Sequence, residues 1–109
     1  MKKLILVLVL VGLTAAFVLA DTFYLKNSTG FWTFYDIRVS YNRSNDWGSD
    51  VLGNDVLEPD EVLRITTTRS LNTDTLDFKI IDEDGDTYTI YGRRVRDGQT
   101  IEITLDDLD

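Results

Sequence analysis

The chain has 109 residues, of which 11 are basic and 19 acidic, and its formal net charge is −8. That length suits a single domain. So acidic a chain lacks the basic surface that is needed to bind nucleic acids or anionic membranes. It contains no cysteine and no histidine, which excludes disulfide bonds, thiol nucleophiles, imidazole bases and the usual zinc and copper ligands.

The first twenty residues have the pattern of a secretory signal peptide. A short basic start precedes an apolar run that ends at Ala20, and the polar Asp21 follows. Val18 and Ala20 occupy positions −3 and −1 of a cleavage site, so the pattern predicts cleavage before Asp21 and a secreted or periplasmic product. Cleavage after Ala16 and an uncleaved membrane anchor are the alternatives, since about 17 apolar residues is the lower limit for spanning a bilayer. Residues 21–109 are predicted to form one domain.

Two strand candidates open this domain. Residues 22–26 alternate in polarity, with Phe23 and Leu25 on one side, as in a half-buried strand. A turn composition at residues 27–30 separates them from the longest candidate, residues 31–41. Trp32 and Phe34 fall on the polar side of that second strand, so they are expected to pack against a second apolar patch, to lie beneath a loop or to form a binding platform.

A long loop and a further strand follow. Residues 42–61 hold two glycines, the only proline and six acidic side chains. Such long loops are uncommon in compact domains and are often functional or self-packed. Its apolar side chains predict that it packs on the domain, with a short helical turn at residues 49–52. Residues 62–68 are predicted to form a strand with Leu63 and Ile65 facing inward.

The clearest element is a β-hairpin within residues 76–92. A three-residue loop places Phe78 opposite Ile90 and Ile80 opposite Tyr88, which keeps the apolar side chains on one face. Such a loop favours a residue in the left-handed backbone conformation at its end, and Gly85 occupies that position.

The last strand is predicted at residues 101–105. A two-residue turn at residues 97–98 would place Ile103 opposite Gly92 and so extend the hairpin to three strands, although Val95 would then face the other side. Residues 106–109 are expected to form a frayed acidic tail.

Six or seven short strands without a convincing helix predict an all-β fold, a small antiparallel β-sandwich. A small closed β-barrel is the alternative.

The ordered motifs resemble a group of small secreted bacterial β-sandwich proteins of uncharacterised function. The shared features are a turn at 27–30 (NSTG) before an aromatic strand, a loop at 47–53 (WGSDVLG), a turn at 56–59 (VLEP) and an acidic hairpin at 82–88 (DEDGDTY). Members of that group carry cysteines in their strands, whereas this chain has none. The resemblance implies a compact extracytoplasmic module and supplies no catalytic residues.

The acidic hairpin end is a candidate calcium site formed by Asp82, Asp84 and Asp86. In the preferred register Asp82 faces Asp86, and a hard cation with oxygen ligands would relieve the repulsion between them. The spacing departs from the twelve-residue EF-hand loop, and the alternative is a solvated acidic turn. If the long loop reaches the same end, it would add oxygens from Asp46, Asp50 and Asp55.

The only basic cluster consists of Arg93, Arg94 and Arg96. It is expected to pair with neighbouring carboxylates. The alternative is that it binds a small anion or a partner. An enzyme would have to work with carboxylates alone, and no pair of them is placed beside a predicted pocket. The sequence therefore favours a secreted, non-enzymatic interaction module without a cofactor, whose partner is a protein or a surface glycan. The alternative function is a calcium-binding structural domain.

The signal-peptide pattern predicts that the secreted product begins at Asp21. Intact-mass measurement of protein from the periplasm or the medium should therefore give the mass of residues 21–109. Recovery of the whole chain in the membrane fraction would contradict cleavage and support the anchor.

Overall fold

The structure, a computed structural model, describes residues 20–109 and the backbone of residues 5–8. The described residues form seven strands and one short 3₁₀ helix, Leu105–Asp107. The strands are β1 (Ile5–Leu8), β2 (Thr22–Asn27), β3 (Phe34–Tyr41), β4 (Val62–Thr66), β5 (Thr75–Asp82), β6 (Thr87–Arg94) and β7 (Thr100–Ile103).

The strands form two open sheets that pack face to face. One sheet has the order β1-β4-β2-β7 and the other the order β3-β5-β6. Phe23 of the first sheet meets Phe78 of the second edge to face, with ring centroids 6.0 Å apart. The core is drawn from both sheets and includes the fully buried Leu25, Ile37 and Ile80. The predicted all-β sandwich is therefore confirmed.

The predicted hairpin is confirmed in its register. Phe78 pairs with Ile90 and Ile80 with Tyr88, and Gly85 has a φ of 82°. A β-bulge near the far end of the hairpin, where the register shifts between Leu76 and Phe78, was not part of the prediction.

The strand predicted at residues 31–41 is β3, which begins later, at Phe34. A β-bulge between Phe34 and Asp36 interrupts its alternation. The bulge buries Phe34 completely and leaves the side chain of Tyr35 exposed, which reverses the predicted polarity at this point. Phe34 forms an antiparallel bridge with Leu57 of the long loop. The loop therefore lies along the edge of the strand, and Phe34 packs in the core rather than beneath the loop.

The long loop packs on the domain as predicted. Leu52 and Leu57 are buried in the core, and the Val51 N–H donates to the Ile37 carbonyl at 2.8 Å. The turn lies at residues 51–54 rather than in a helical turn at residues 49–52.

The predicted register of the last strand is wrong. β7 does not extend the hairpin but runs parallel to β2 in the other sheet, where Ile101 pairs with Leu25. Val95 is buried, and beyond it the Gly98 N–H donates to the Thr22 carbonyl. Burying Val95 turns the chain across the core, whereas the predicted hairpin would have left this side chain facing away from the core.

The acidic tail is not frayed. Thr104 caps the 3₁₀ helix in a capping box, and the Asp109 N–H donates to the Thr87 carbonyl at 2.9 Å. The Asp109 carboxylate also accepts hydrogen bonds from the hydroxyls of Thr87 and Thr89. These hydroxyls, Thr89 foremost, lower the pKa of Asp109.

The backbone of β1 lies parallel to β4, with Ile5 in register with Leu63 and Leu8 with Thr66. The signal-peptide pattern had placed these residues outside the predicted domain. Val18 and Ala16 of the predicted cleavage sites lie outside the described residues. Within the described part of the chain, no helix is long and apolar enough to cross a bilayer.

Phe78 is fully buried between the sheets, so Phe78→Ala should lower the free energy of unfolding by about 3–5 kcal/mol. Phe31→Ala is the matched control, because 76% of the Phe31 side chain is exposed, and it should change stability by less than about 0.5 kcal/mol. Denaturant titration measures both values. A loss below about 1 kcal/mol for Phe78→Ala would contradict the assigned core.

Candidate functional site

The outward face of the three-stranded sheet carries an aromatic patch formed by Arg43, Trp47, Lys79 and Tyr91. Strand alternation places Lys79 on this face, because its neighbours Phe78 and Ile80 point into the core. Tyr91 comes from β6, and the long loop supplies the other two side chains.

The four side chains contact one another. The Trp47 and Tyr91 rings meet edge to face, with centroids 6.4 Å apart. The Arg43 guanidinium lies 4.6 Å from the Tyr91 centroid, and Lys79 Nζ lies 4.7 Å from the Trp47 centroid. Each ring therefore carries one cation on its π face, an attractive arrangement.

The loop that presents Trp47 is held in place by hydrogen bonds. Trp47 Nε1 donates to Asn45 Oδ1 at 2.8 Å, and Asn45 takes the left-handed conformation, with φ at 62°, which Asn tolerates better than most residues. Arg38 of β3 donates to the Gly48 carbonyl at 2.9 Å. The guanidinium of Arg38 is fixed in turn by Asp36, at 2.9 Å.

A buried carboxylate supports the patch from beneath. Asp77 of β5 is 1% exposed and its Oδ1 accepts the Gly92 N–H at 2.7 Å. Gly92 follows Tyr91 and has a φ of 65°, so Asp77 stabilises the bulge that sets the position of Tyr91. Asp77 Oδ2 also lies 3.9 Å from Arg43 Nε. The Asp77 carboxylate thus contacts both the bulge beside Tyr91 and the Arg43 guanidinium that covers the Tyr91 ring.

The patch remains open to solvent. Tyr91 is 55% exposed, Arg43 is exposed, and Trp47 and Lys79 are half-buried. A groove of about 240 Å³ adjoins Trp47. Its apolar lining comes from Val39, Tyr41, Val51 and Ile65. The patch and the groove together offer aromatic faces, two cations and an apolar recess to a ligand.

The acidic hairpin end is arranged differently from a simple cluster of carboxylates. Asp82 is 2% exposed. Its Oδ1 accepts the N–H groups of Asp84 and Asp86 at 2.9 and 3.1 Å. Its Oδ2 accepts the Tyr88 hydroxyl at 2.9 Å. Burial raises the pKa of Tyr88, and the hydrogen bond to Asp82 raises it further, so the phenol stays protonated as the donor.

Asp84 and Asp86 are exposed, while Asp82 holds the turn together. Of the loop aspartates, Asp50 accepts the N–H groups of Ile37 and Leu52 and therefore has a structural role. Among the described residues, no group of three or more carboxylates is gathered in a way that could hold a metal ion. Calcium at this end would rely on the two exposed carboxylates and on backbone carbonyls, and its binding stays a prediction.

The arginine cluster lies on the surface. Arg93, Arg94 and Arg96 are exposed, and within the described residues none of them forms the expected salt bridge. Arg94 instead donates to the Asn72 carbonyl at 3.2 Å. Arg94 and Arg96 line an open groove of about 710 Å³ that also contains Asp97.

Comparison with known proteins finds no matching family model, no similar curated protein and no similar solved structure. The resemblance to small secreted bacterial β-sandwich proteins therefore stays a prediction. The aromatic patch is identified as a candidate binding site from its geometry alone.

Of this patch, the sequence patterns indicated only the long loop, as a segment of a kind that is often functional. They also indicated Trp32 and Phe34 as a candidate binding platform, but Phe34 is a core residue. They did not connect Trp47 with Tyr91, because these residues lie 44 positions apart (91 − 47) and meet only through loop folding. The available signal was Tyr91-Gly92 at the end of the hairpin, since a glycine within a strand indicates a bulge.

The calcium hypothesis predicts a stability response. At about 5 mM calcium, roughly tenfold above a typical extracellular dissociation constant, the melting temperature should rise by about 5–10 °C relative to chelator at matched ionic strength. Asp84→Asn combined with Asp86→Asn should remove the response, because both exposed carboxylates are neutralised. An unchanged wild-type melting temperature would show that the turn is merely solvated.

Proposed function

We propose that this protein is a secreted or periplasmic, non-enzymatic binding module that contacts its partner through the aromatic patch. The observation that carries the proposal is the contact of Trp47 and Tyr91 on an exposed sheet face, each ring with a cation against it. The partner is a protein or a surface glycan.

The residue types of the patch support binding. Trp, Tyr and Arg are enriched among the residues that dominate binding free energies. The rings are held by the Asn45 hydrogen bond and by the bulge that Asp77 stabilises. A surface ordered before binding loses less conformational entropy when a partner docks.

The charge of the patch supports a partner with acidic or hydrogen-bond-accepting groups. Arg43 and Lys79 bring two cations to one spot of a chain with a net charge of −8. Acidic side chains of a protein would pair with these cations, and the hydroxyl groups of a glycan would accept their hydrogen bonds.

The start of the folded domain supports cleavage before Asp21. Asp21 Oδ2 accepts the Leu71 N–H at 2.6 Å, and the Asp21 carbonyl accepts the Thr67 N–H at 2.8 Å. Ala20 is exposed. The residue that follows the predicted cleavage site is therefore already hydrogen-bonded to the rest of the domain.

The patch is tested by comparing wild-type protein with Tyr91→Ala and Trp47→Ala. Labelled protein is titrated onto intact cells of the source organism and onto a glycan array. Each substitution should weaken saturable binding at least tenfold, as expected for a residue that contributes about 1.4 kcal/mol or more. Phe31→Ala, which removes a still more exposed ring elsewhere, should bind as the wild type does.

Two treatments distinguish the partner classes. Protease treatment of the cells should abolish binding to a protein, whereas periodate oxidation should abolish binding to a glycan. Thermal unfolding of each variant checks that the fold is intact. Undiminished binding by the Trp47→Ala, Tyr91→Ala double variant would contradict the proposal.

A further inference from the structure

The strand edges of this sandwich are protected in different ways. An uncovered edge strand exposes unpaired backbone N–H and C=O groups, which proteins usually cover or flank with charge. The long loop covers the edge of β3, where Leu57 bridges Phe34 and the Val51 N–H donates to Ile37. The C-terminal segment covers part of β6, where Leu108 bridges Tyr88.

The remaining part of β6 is charged and β7 is short. β6 ends in Arg93 and Arg94, both exposed. β7 has only four residues and exposes Thr100 and Glu102. Charged side chains and short length are two of the ordinary protections of an edge.

The outer edge of β4 is covered only by β1 within the described residues. β4 pairs with β2 on one side and with β1 on the other, the latter in parallel over four residue pairs from Ile5–Leu63 to Leu8–Thr66. β1 lies inside the segment predicted to be removed on secretion. Its loss would leave the sheet order β4-β2-β7 and uncover the edge of β4.

The uncovered edge strand would be almost entirely uncharged along its length. Its sequence is VLRIT, so Arg64 is its only charge. The apolar groove beside Trp47 adjoins it, because Ile65 of β4 lines that groove together with Val39 and Val51. A strand added here would find backbone partners along β4 and an apolar recess between the two sheets.

We propose that the β4 edge is a strand-acceptor site, which in the processed protein binds an extended, uncharged, apolar segment of a partner protein running parallel to β4. The inference rests on the leader removal of the proposed function. The chemistry of the partner segment follows from β1 (ILVL), which lies in register on this edge. Such strand addition draws its affinity from main-chain hydrogen bonds and its specificity from alternate side chains.

A second copy of the chain is a poorer occupant. Two β4 strands paired antiparallel about their centres would place Arg64 opposite Arg64, and like charges directly opposite are unfavourable. The processed chain would begin at Asp21, immediately before β2. It would therefore have no free N-terminal segment to donate to a neighbouring copy.

The test uses processed protein and a peptide of residues 1–8 (MKKLILVL), whose lysines keep it soluble. Two versions carry backbone N-methyl groups, one at residues 5 and 7 and the other at residues 6 and 8. Successive residues of a strand direct their N–H groups to opposite edges, so one version should bind at least tenfold more weakly and the other should keep its affinity. Amide exchange should slow in Val62–Thr66 when the unmodified peptide binds.

Several results would overturn the inference. Equal effects of the two methylation patterns would indicate non-specific apolar adsorption. Dimerisation of the processed protein without peptide binding would show that a second copy covers the edge. Retention of residues 1–20 in the secreted protein would leave the edge filled, and it would do so without altering cell binding through the aromatic patch.

Tyr91→Ala separates the two binding surfaces. This variant should bind the peptide as the wild type does even though it loses cell binding, because Tyr91 does not line the groove beside β4. Loss of peptide binding in Tyr91→Ala would place the peptide on the aromatic patch and overturn the strand-acceptor site.

Discussion

The fold depends on the burial of two apolar sheet faces against each other, with Phe23 packed on Phe78 at the centre. Because the chain has no cysteine, no disulfide bond supplements this packing. A domain of about 90 residues buries only about two-thirds of the surface of its unfolded chain. The loop and tail that cover the sheet edges are therefore part of its stability, since Leu52 and Leu57 of the loop complete the core.

Three buried polar side chains fix the positions of loops and turns that the apolar core does not determine. Asn27 donates to the Trp32 and Leu57 carbonyls and so joins the first turn to the long loop. Asp82 holds the acidic turn, and Asp77 holds the bulge next to Tyr91. No buried side-chain polar atom of the described residues lacks a hydrogen-bond partner. The aromatic patch is thus positioned by the same hydrogen bonds that satisfy buried groups.

The two proposed binding surfaces differ in their physical basis. The aromatic patch offers ordered side chains, so its affinity would come from ring contacts and cations. The β4 edge offers backbone groups, so its affinity would come from main-chain hydrogen bonds. Trp47 and Ile65 line the same groove, which places the two surfaces next to each other, so that a partner protein binding both would gain from their combination.

The sequence was enough to predict the strands whose polarity alternates strictly and the register of the central hairpin, because slipping Ile80 by one residue would turn every apolar side chain of its strand outward. It could not determine the pairing of β7, since the burial of Val95 and the crossing to the other sheet depend on both sheets being present. Alternation placed Asp82 on the same side as Ile80, but the hydrogen bond from the Tyr88 hydroxyl that holds this carboxylate forms only once the two strands are packed. Only loop packing brought Trp47 to Tyr91, because contacts between residues distant in sequence leave no local periodicity.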